Sequence, residues 1–419
     1  MRGRASRLSA GDLTSSSMIL HPASAFLQRH SRRFPHSLPG KRVTDTFNLP
    51  FSHQRETGSI SSGPHLNSPI SLSLFSPFLS AHIMGNGPSF GMIATVVWYR
   101  EGNASYGKAG YEEAAKARFR PDDIPDRFTG KRVLVTGGNQ GIGFEAAKWL
   151  AELGAEVHLA CRSLPRAQDA KAAMQAAVPG AVVEVHALDV GEIAAVKRFA
   201  EDFKSRYNRL DVLINNAGCM PTERTTTSEG REAIMACTMG GTYLLTTLLQ
   251  PLLARTDSAP TAGRVINVSS GGMYTVSLPD AKKTDLNFQS VSKYDGRLFY
   301  AVAKRLQVTI TEVMAKRDPE KRVLYHSMHP GWAATEAVKT SINDFYESKK
   351  DMMRTARQGA DTIVFLATSS KVDDQPSGQF WFDRQAVRTH LPGAGTASTP
   401  AQDESLFESV RSYVEPPGQ

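Results

Sequence analysis

The sequence predicts a protein of the α/β class, a single doubly wound parallel sheet with helices on both faces. Three observations carry this expectation. From Lys131 onward, strand-type and helix-type hydrophobic patterns alternate. A glycine-rich turn joins the first strand to the first helix. Residues 1–91 differ so sharply in composition that they read as a disordered N-terminal extension preceding the fold. Alternating strands and crossover helices with a glycine turn in the first unit are the pattern of a Rossmann-type sheet.

The chain has 419 residues, enough to bury a large core. Cys161, Cys219 and Cys237 lie far apart in sequence with no C-x-x-C pair, which excludes a disulfide scaffold and a zinc ribbon, and no metal is expected. There is no glycine period, no heptad pattern and no charge-free apolar run of about 18 residues, which excludes collagenous, coiled-coil and multi-span membrane classes. The formal charge of +8 is local: residues 1–91 hold nine Lys/Arg against three Asp/Glu, leaving +2 for residues 92–419. Basic charge confined to a tail argues against nucleic-acid binding, which needs it spread over a folded surface.

Residues 1–91 contain 18 Ser and clustered Arg (Arg2, Arg4, Arg7, Arg29, Arg32, Arg33). This acid-poor composition reads as an organelle transit peptide, with mitochondrial or other organellar localisation, or as a disordered tail. If the chain instead starts at Met84 or Met92, the protein is cytoplasmic. Residues 92–128 read as a helical collar, apolar from Ile93 to Tyr99 and helical from Ala109 to Arg118. The collar either packs on the main domain, the preferred reading, or makes a peripheral membrane contact near Trp98.

Strands are expected at Lys131–Thr136, Glu156–Ala160, Val182–Ala187, Leu210–Ile214, Arg264–Val268, Val323–Ser327 and Gln379–Phe382. Helices are expected at Gly141–Leu153, Ala167–Ala177, Ile193–Arg206, Glu229–Leu253, Gly296–Ala315 and Gly359–Leu366. Together they make one domain over residues 129–395, followed by a C-terminal helical tail over 396–419.

The chemistry-bearing motifs fall at the carboxyl ends of these strands. In Thr136-Gly137-Gly138-Asn139-Gln140-Gly141-Ile142-Gly143, glycines let the backbone approach a pyrophosphate, and the helix that follows offers free N–H groups to it. The second strand ends Leu159-Ala160-Cys161-Arg162-Ser163. It has no carboxylate for a ribose 2′-hydroxyl, and Arg162 suits a 2′-phosphate, so NADP(H) is expected over NAD(H). Asp189 is either an adenine contact or the N-cap of the helix from Ile193. Asn215-Asn216-Ala217-Gly218 brings small residues to the cofactor and Asn side chains that brace neighbouring strands. Tyr300 and Lys304, four apart on one helical face, form an acid–base pair in which a nearby ammonium pulls the phenol pKa down. Ser270, with Ser269 as the alternate, is placed to orient a substrate carbonyl. There is no G-x-S-x-G elbow, so a serine hydrolase is not supported.

In this order and spacing, TGGNQGIG, NNAG, VSS and YAVAK resemble the short-chain dehydrogenase/reductases. The chain is most similar to the dehydrogenase/reductase family member twelve-like group, through Val97-Trp98, the run Tyr106 to Tyr111, NNAGCM, VSSGGM and Met328 to Trp332. The resemblance implies NADP(H)-linked oxidoreduction with Ser270, Tyr300 and Lys304 as the catalytic set. It also implies that Pro330, Gly331 and Thr335 border the nicotinamide. Two positions depart from the pattern. Thr238 stands where the family carries an Asn that supports a water leading to the catalytic Lys, and Ala334 stands where the group tends to carry an acid. Between Ser270 and Tyr300 lie 29 residues, more than in compact members. Met220, Met273, Tyr274 and Trp332 are expected to wall an apolar pocket for a lipophilic small-molecule carbonyl or alcohol. The alternative reading, motivated by Thr238, is a catalytically weak NADP-binding regulatory or interaction module. The sequence does not set an oligomeric state.

Overall fold

The computed structural model describes residues 91–256, 261–278 and 285–415. The extension expected over residues 1–91 lies, apart from Gly91, outside the described residues. Eight described strands form one sheet: β1 (Arg132–Thr136), β2 (Glu156–Cys161), β3 (Val183–Ala187), β4 (Val212–Asn215), β5 (Gly263–Val268), β6 (Val323–Met328), β7 (Phe380–Phe382) and β8 (Gln385–Val387). Their spatial order is β3-β2-β1-β4-β5-β6-β7-β8. Every pairing is parallel except β7 with β8. The order reverses between β1 and β4, which opens a crevice beyond the carboxyl ends of these strands. Val133, Leu134 and Val135 in β1, and Leu213 and Ile214 in β4, are fully buried, as central parallel strands covered on both faces must be.

The helices are α1 (Met92–Glu101), α2 (Lys108–Arg118), α3 (Gly141–Glu152), α4 (Leu164–Ala177), α5 (Ile193–Arg206), α6 (Ala233–Met239), α7 (Thr246–Leu253), α8 (Gly296–Lys316), α9 (Glu336–Ser341), α10 (Asn343–Lys349), α11 (Ala356–Thr368) and α12 (Pro400–Val414). One core joins α3, α4 and α11 to the sheet through Leu150, Met174 and Ile363. The other joins α5 to α8 and α12 through Phe203, Leu244, Leu298 and Phe407.

The expected helix over Glu229–Leu253 begins at Ala233 and runs to Leu253 with a π-helical turn inside it. Glu229 lies outside it, because its carboxylate accepts from the first-turn N–H groups of Ile193 and Ala194, at 3.1 and 2.8 Å. Glu232 caps α6 instead, accepting from Met235 N at 2.8 Å. A π-helical turn, Gly240–Leu245, then separates α6 from α7. Gly240 sits where a Cβ would run into the Val190 carbonyl, so this close approach requires glycine. Two short helices and one strand were not foreseen. Neither α9 nor α10 buries a residue, so they carry no hydrophobic period to read. The strand β8 has three residues and is not buried.

The collar packs on the domain. Trp98, 6% exposed, meets Trp332 edge-on with ring centroids 5.9 Å apart, and so faces inward rather than outward. Met92, Ile93 and Val96 are the exposed apolar residues of the same helix. Arg354 forms a buried ion pair with Asp383 at 2.6 Å and donates to the carbonyls of Tyr106 (3.0 Å) and Ser105 (3.1 Å). Tyr111 adds a hydrogen bond from its hydroxyl to Asp361, at 3.0 Å. Among the described residues, no helix is long and apolar enough to cross a membrane.

Candidate active site

At the end of β1 the chain turns through Gly137 to Gln140 into α3. Gly141, the first residue of α3, has φ +59°, a conformation that favours glycine. Gln140, the N-cap, makes no side-chain capping hydrogen bond, so the first N–H groups of α3 face the cavity without a protein acceptor from the cap. Asn216 fixes the turn: its Nδ2 donates to the carbonyls of Thr136 (3.0 Å) and Gly137 (3.2 Å). In return, Thr136 Oγ1 accepts from the backbone N–H groups of Asn216 and Ala217, both at 3.1 Å. Asn215 braces the next strand, donating to Asn267 Oδ1 at 2.8 Å. The expected bracing role of the two Asn residues is therefore present.

This turn opens onto a cavity of about 1010 Å³ that spans the sheet edge. Gly137, Asn139, Gln140, Gly141, Ile142, Gly143, Arg162, Asp189, Asn216, Ala217, Gly218, Ser270, Tyr300, Lys304, Pro330, Gly331 and Thr335 all line it. Glycine backbone and uncapped helix N–H groups together fit the phosphates of a dinucleotide. Arg162 is largely exposed, 3.9 Å from Asp189, and Arg166 lines the same end. Asp189 does not cap α5, whose N-cap is Glu192; it accepts from Gly191 N at 3.0 Å within its own turn.

Ser269 and Ser270 separate cleanly. Ser269 is buried and donates to the Lys304 carbonyl at 2.9 Å, a structural contact. Ser270 lines the cavity beside Tyr300 and accepts from Gly272 N at 3.2 Å. Lys304 Nζ lies 5.5 Å from the Tyr300 ring centroid. It donates to Val268 O at 2.8 Å and to Gln307 Oε1 at 3.0 Å. Gln307 Nε2 in turn donates to Thr242 Oγ1, on the π turn, at 2.8 Å. Thr238 Oγ1 donates back along its own helix to Ile234 O at 2.8 Å.

The electrostatics correct one expectation. Burial pushes the Tyr300 phenol up to about 12, with the neighbouring thiols raising it further and the Ser270 hydrogen bond opposing them. Lys304, whose ammonium is turned to Val268 and Gln307, does not outweigh burial here. Burial also lowers Lys304 itself to about 8.

The family described as short chain dehydrogenase matches residues 131–277. The human protein "Dehydrogenase/reductase SDR family member 12" is 41% identical over 321 residues, covering 77% of this chain and 98% of its own. The chain belongs to the short-chain dehydrogenase/reductase family. Human "Retinol dehydrogenase 12" is 32% identical over 61% of this chain and 79% of its own. The crystal structure of an uncharacterized protein from Mycobacterium paratuberculosis covers 70% of this chain and 96% of its own at 25% identity, with a TM-score of 0.54.

This short-chain dehydrogenase/reductase departs from the sequence reading at its substrate end. Met220 and Trp332 line the cavity, but Met273 and Tyr274 do not. Both are buried, and the Tyr274 hydroxyl donates to Arg388 O at 2.7 Å. The wall is instead completed by Trp98, Tyr106, Phe345 and Met353. Gln307 and Arg166 were not singled out from the sequence, nor was the meeting of Cys219 with Cys237. Gln307, three residues after Lys304 in α8, could have been found from helical spacing. A separate polar cluster, His158, Glu184 and His186, lies on β2 and β3. Arg206 donates to His186 Nδ1 at 3.2 Å, so the proton shared across the 2.9 Å contact between the rings comes from His186 Nε2. The other His158 nitrogen meets Glu156 at 2.9 Å, which leaves the two rings mutually satisfied.

Proposed function

We propose that this protein is an NADP(H)-dependent oxidoreductase acting on a lipophilic small-molecule carbonyl or alcohol, with Tyr300 as general acid/base. The observation that carries this reading is that Ser270, Tyr300 and Lys304 line one cavity with the glycine-rich turn. The nicotinamide group, when bound, supplies or takes up hydride. Ser270 orients the carbonyl oxygen, and Tyr300 gives it a proton as hydride arrives or removes one from an alcohol. A phenol held near 12 is protonated at neutral pH and so starts as the acid in the reduction direction. Lys304 stabilises the phenolate left behind, and Gln307 is a positioning residue for its ammonium.

NADP(H) over NAD(H) rests on Arg162 and Arg166 at the open end of the cavity and on the lack of a carboxylate from Leu159 to Ser163. A lipophilic substrate is supported by the aromatic and Met side chains at the other end, and by relatives whose names specify retinol. The test is to mix the full chain with NADPH or NADH and follow absorbance against a panel of lipophilic aldehydes and ketones. NADPH-selective consumption that Tyr300→Phe abolishes, with NADPH affinity retained, is the expected result. Turnover unchanged in Tyr300→Phe would sink the assignment.

One observation favours the second reading, a catalytically weak NADP-binding module: the Thr238 hydroxyl is committed to Ile234. Tight NADPH binding with no consumption across the panel would select it.

A further inference from the structure

Two thiols that the proposed reaction does not use face the same cavity. Cys219 follows the Asn215–Gly218 turn beyond β4, and Cys237 lies on α6. Neither is fully buried, and both line the cavity beside Gly218, Tyr300 and Lys304. Cys219 donates to Ala233 O at 3.5 Å, which holds it against the start of α6, one helical turn before Cys237. The third cysteine differs. Cys161 is buried at the end of β2.

The two partners are not equivalent. The neighbouring Cys219 thiol lowers the Cys237 thiol, helped by the Lys304 ammonium and opposed by burial. The same pairing and burial push Cys219 up. The Lys304 ammonium thus favours charge on Cys237, which assigns attack to Cys237 and resolution to Cys219.

We propose that Cys219 and Cys237 form a reversible disulfide across the reaction cavity when the protein meets a hydroperoxide. The Cys237 thiolate attacks one peroxide oxygen and the O–O bond breaks. The departing oxygen leaves as alcohol or water after taking a proton, and Cys237 becomes a sulfenic acid. The Cys219 sulfur then attacks the Cys237 sulfur. The S–O bond breaks, the hydroxyl leaves as water with the Cys219 proton, and the S–S bond forms. In balance, two thiols and one hydroperoxide give one disulfide, one alcohol or water, and one further water. A small thiol reverses the step by exchange. Because both sulfurs lie beside Gly218 and Lys304, a bound nucleotide covers them; this clause alone rests on the function proposed above.

The full chain is treated with hydrogen peroxide, alkylated under denaturing conditions, and read by intact mass and by peptide mapping. The expected result is the loss of two alkylatable thiols and a peptide linking Cys219 to Cys237. Cys161 remains alkylatable, and dithiothreitol restores both lost thiols. Cys237→Ala and Cys219→Ala each fail to give the linked peptide. Both thiols still alkylatable, or Cys237 carried to the sulfinic acid with Cys219 free, overturns the proposal. Saturating NADPH is expected to slow the linkage. Linkage at an unchanged rate leaves the disulfide standing and counts against the nucleotide reading, so the two failures are distinguishable.

Discussion

Replacing Gln307 with Leu tests whether this side chain tunes Lys304. Lys304 is 2% exposed, and its ammonium donates to Val268 O at 2.8 Å and to Gln307 Oε1 at 3.0 Å. A hydrogen bond to a charged group is worth about 1.5–3 kcal/mol. One pKa unit corresponds to about 1.36 kcal/mol, so removing the acceptor should lower Lys304 by roughly one to two units. Starting from about 8, Lys304 falls to near or below neutrality. At pH 7 its protonated fraction drops from about nine-tenths to between about a tenth and a half, by the same relation. The assay is the pH profile of kcat/KM for NADPH-dependent carbonyl reduction. In Gln307→Leu the alkaline limb should move to lower pH, with activity at pH 7 down about two- to tenfold and substantially recovered in more acidic buffer. Gln307→Glu puts a carboxylate in the same place and should move the limb the other way. A merely structural role predicts loss at every pH. An unmoved limb, or both variants shifting it in one direction, would refute the reasoning.

Three further outcomes are expected. Arg162→Ala should weaken NADPH about tenfold while leaving NADH nearly unchanged; the side chain is exposed and screened, so the low end of a charge-assisted contact applies. Equal losses for both nucleotides in fluorescence titration would remove Arg162 from phosphate recognition. Arg354→Ala leaves Asp383 buried without its partner and frees the carbonyls of Ser105 and Tyr106, which should cost about 3–5 kcal/mol in urea unfolding. A loss below about 1 kcal/mol would show that the collar is not held there. Thr238→Asn should leave turnover unchanged, because Gln307 already occupies Lys304 Nζ; a clear gain would favour the low-turnover reading.

The sheet was legible because its strands are buried on both faces and therefore written as apolar runs, such as Val133 to Val135. The glycine-rich turn, Arg162, Ser270, Tyr300 and Lys304 were legible because each sits where a strand or its following helix meets the crevice. What failed has physical causes. Apolar residues near a site read the same whether they line it or pack beneath it, which is why Met273 and Tyr274 were taken as wall and prove to be core. The π turn inside the helix between β4 and β5 left no Pro at its position; it starts at Gly240, where the helix closely approaches the Val190 carbonyl, a tertiary contact. Cys219 and Cys237 looked unrelated because sequence separation hides the return of α6 to the end of β4.

The pKa of Tyr300 shows most directly where local reading stops. Spacing brings an ammonium near a phenol, and attraction alone predicts a lowered phenol. Burial penalises charge on both groups at once, raising the phenol to about 12 and lowering the amine to about 8. The π turn decides where that amine points. It places the Thr242 hydroxyl so that Gln307, held by it, offers its carbonyl oxygen to Lys304. A residue on α8 itself, Gln307, thus holds the lysine, and the π turn supplies only the second contact, through Thr242. On this view the pH response of the site follows Gln307 and is insensitive to position 238.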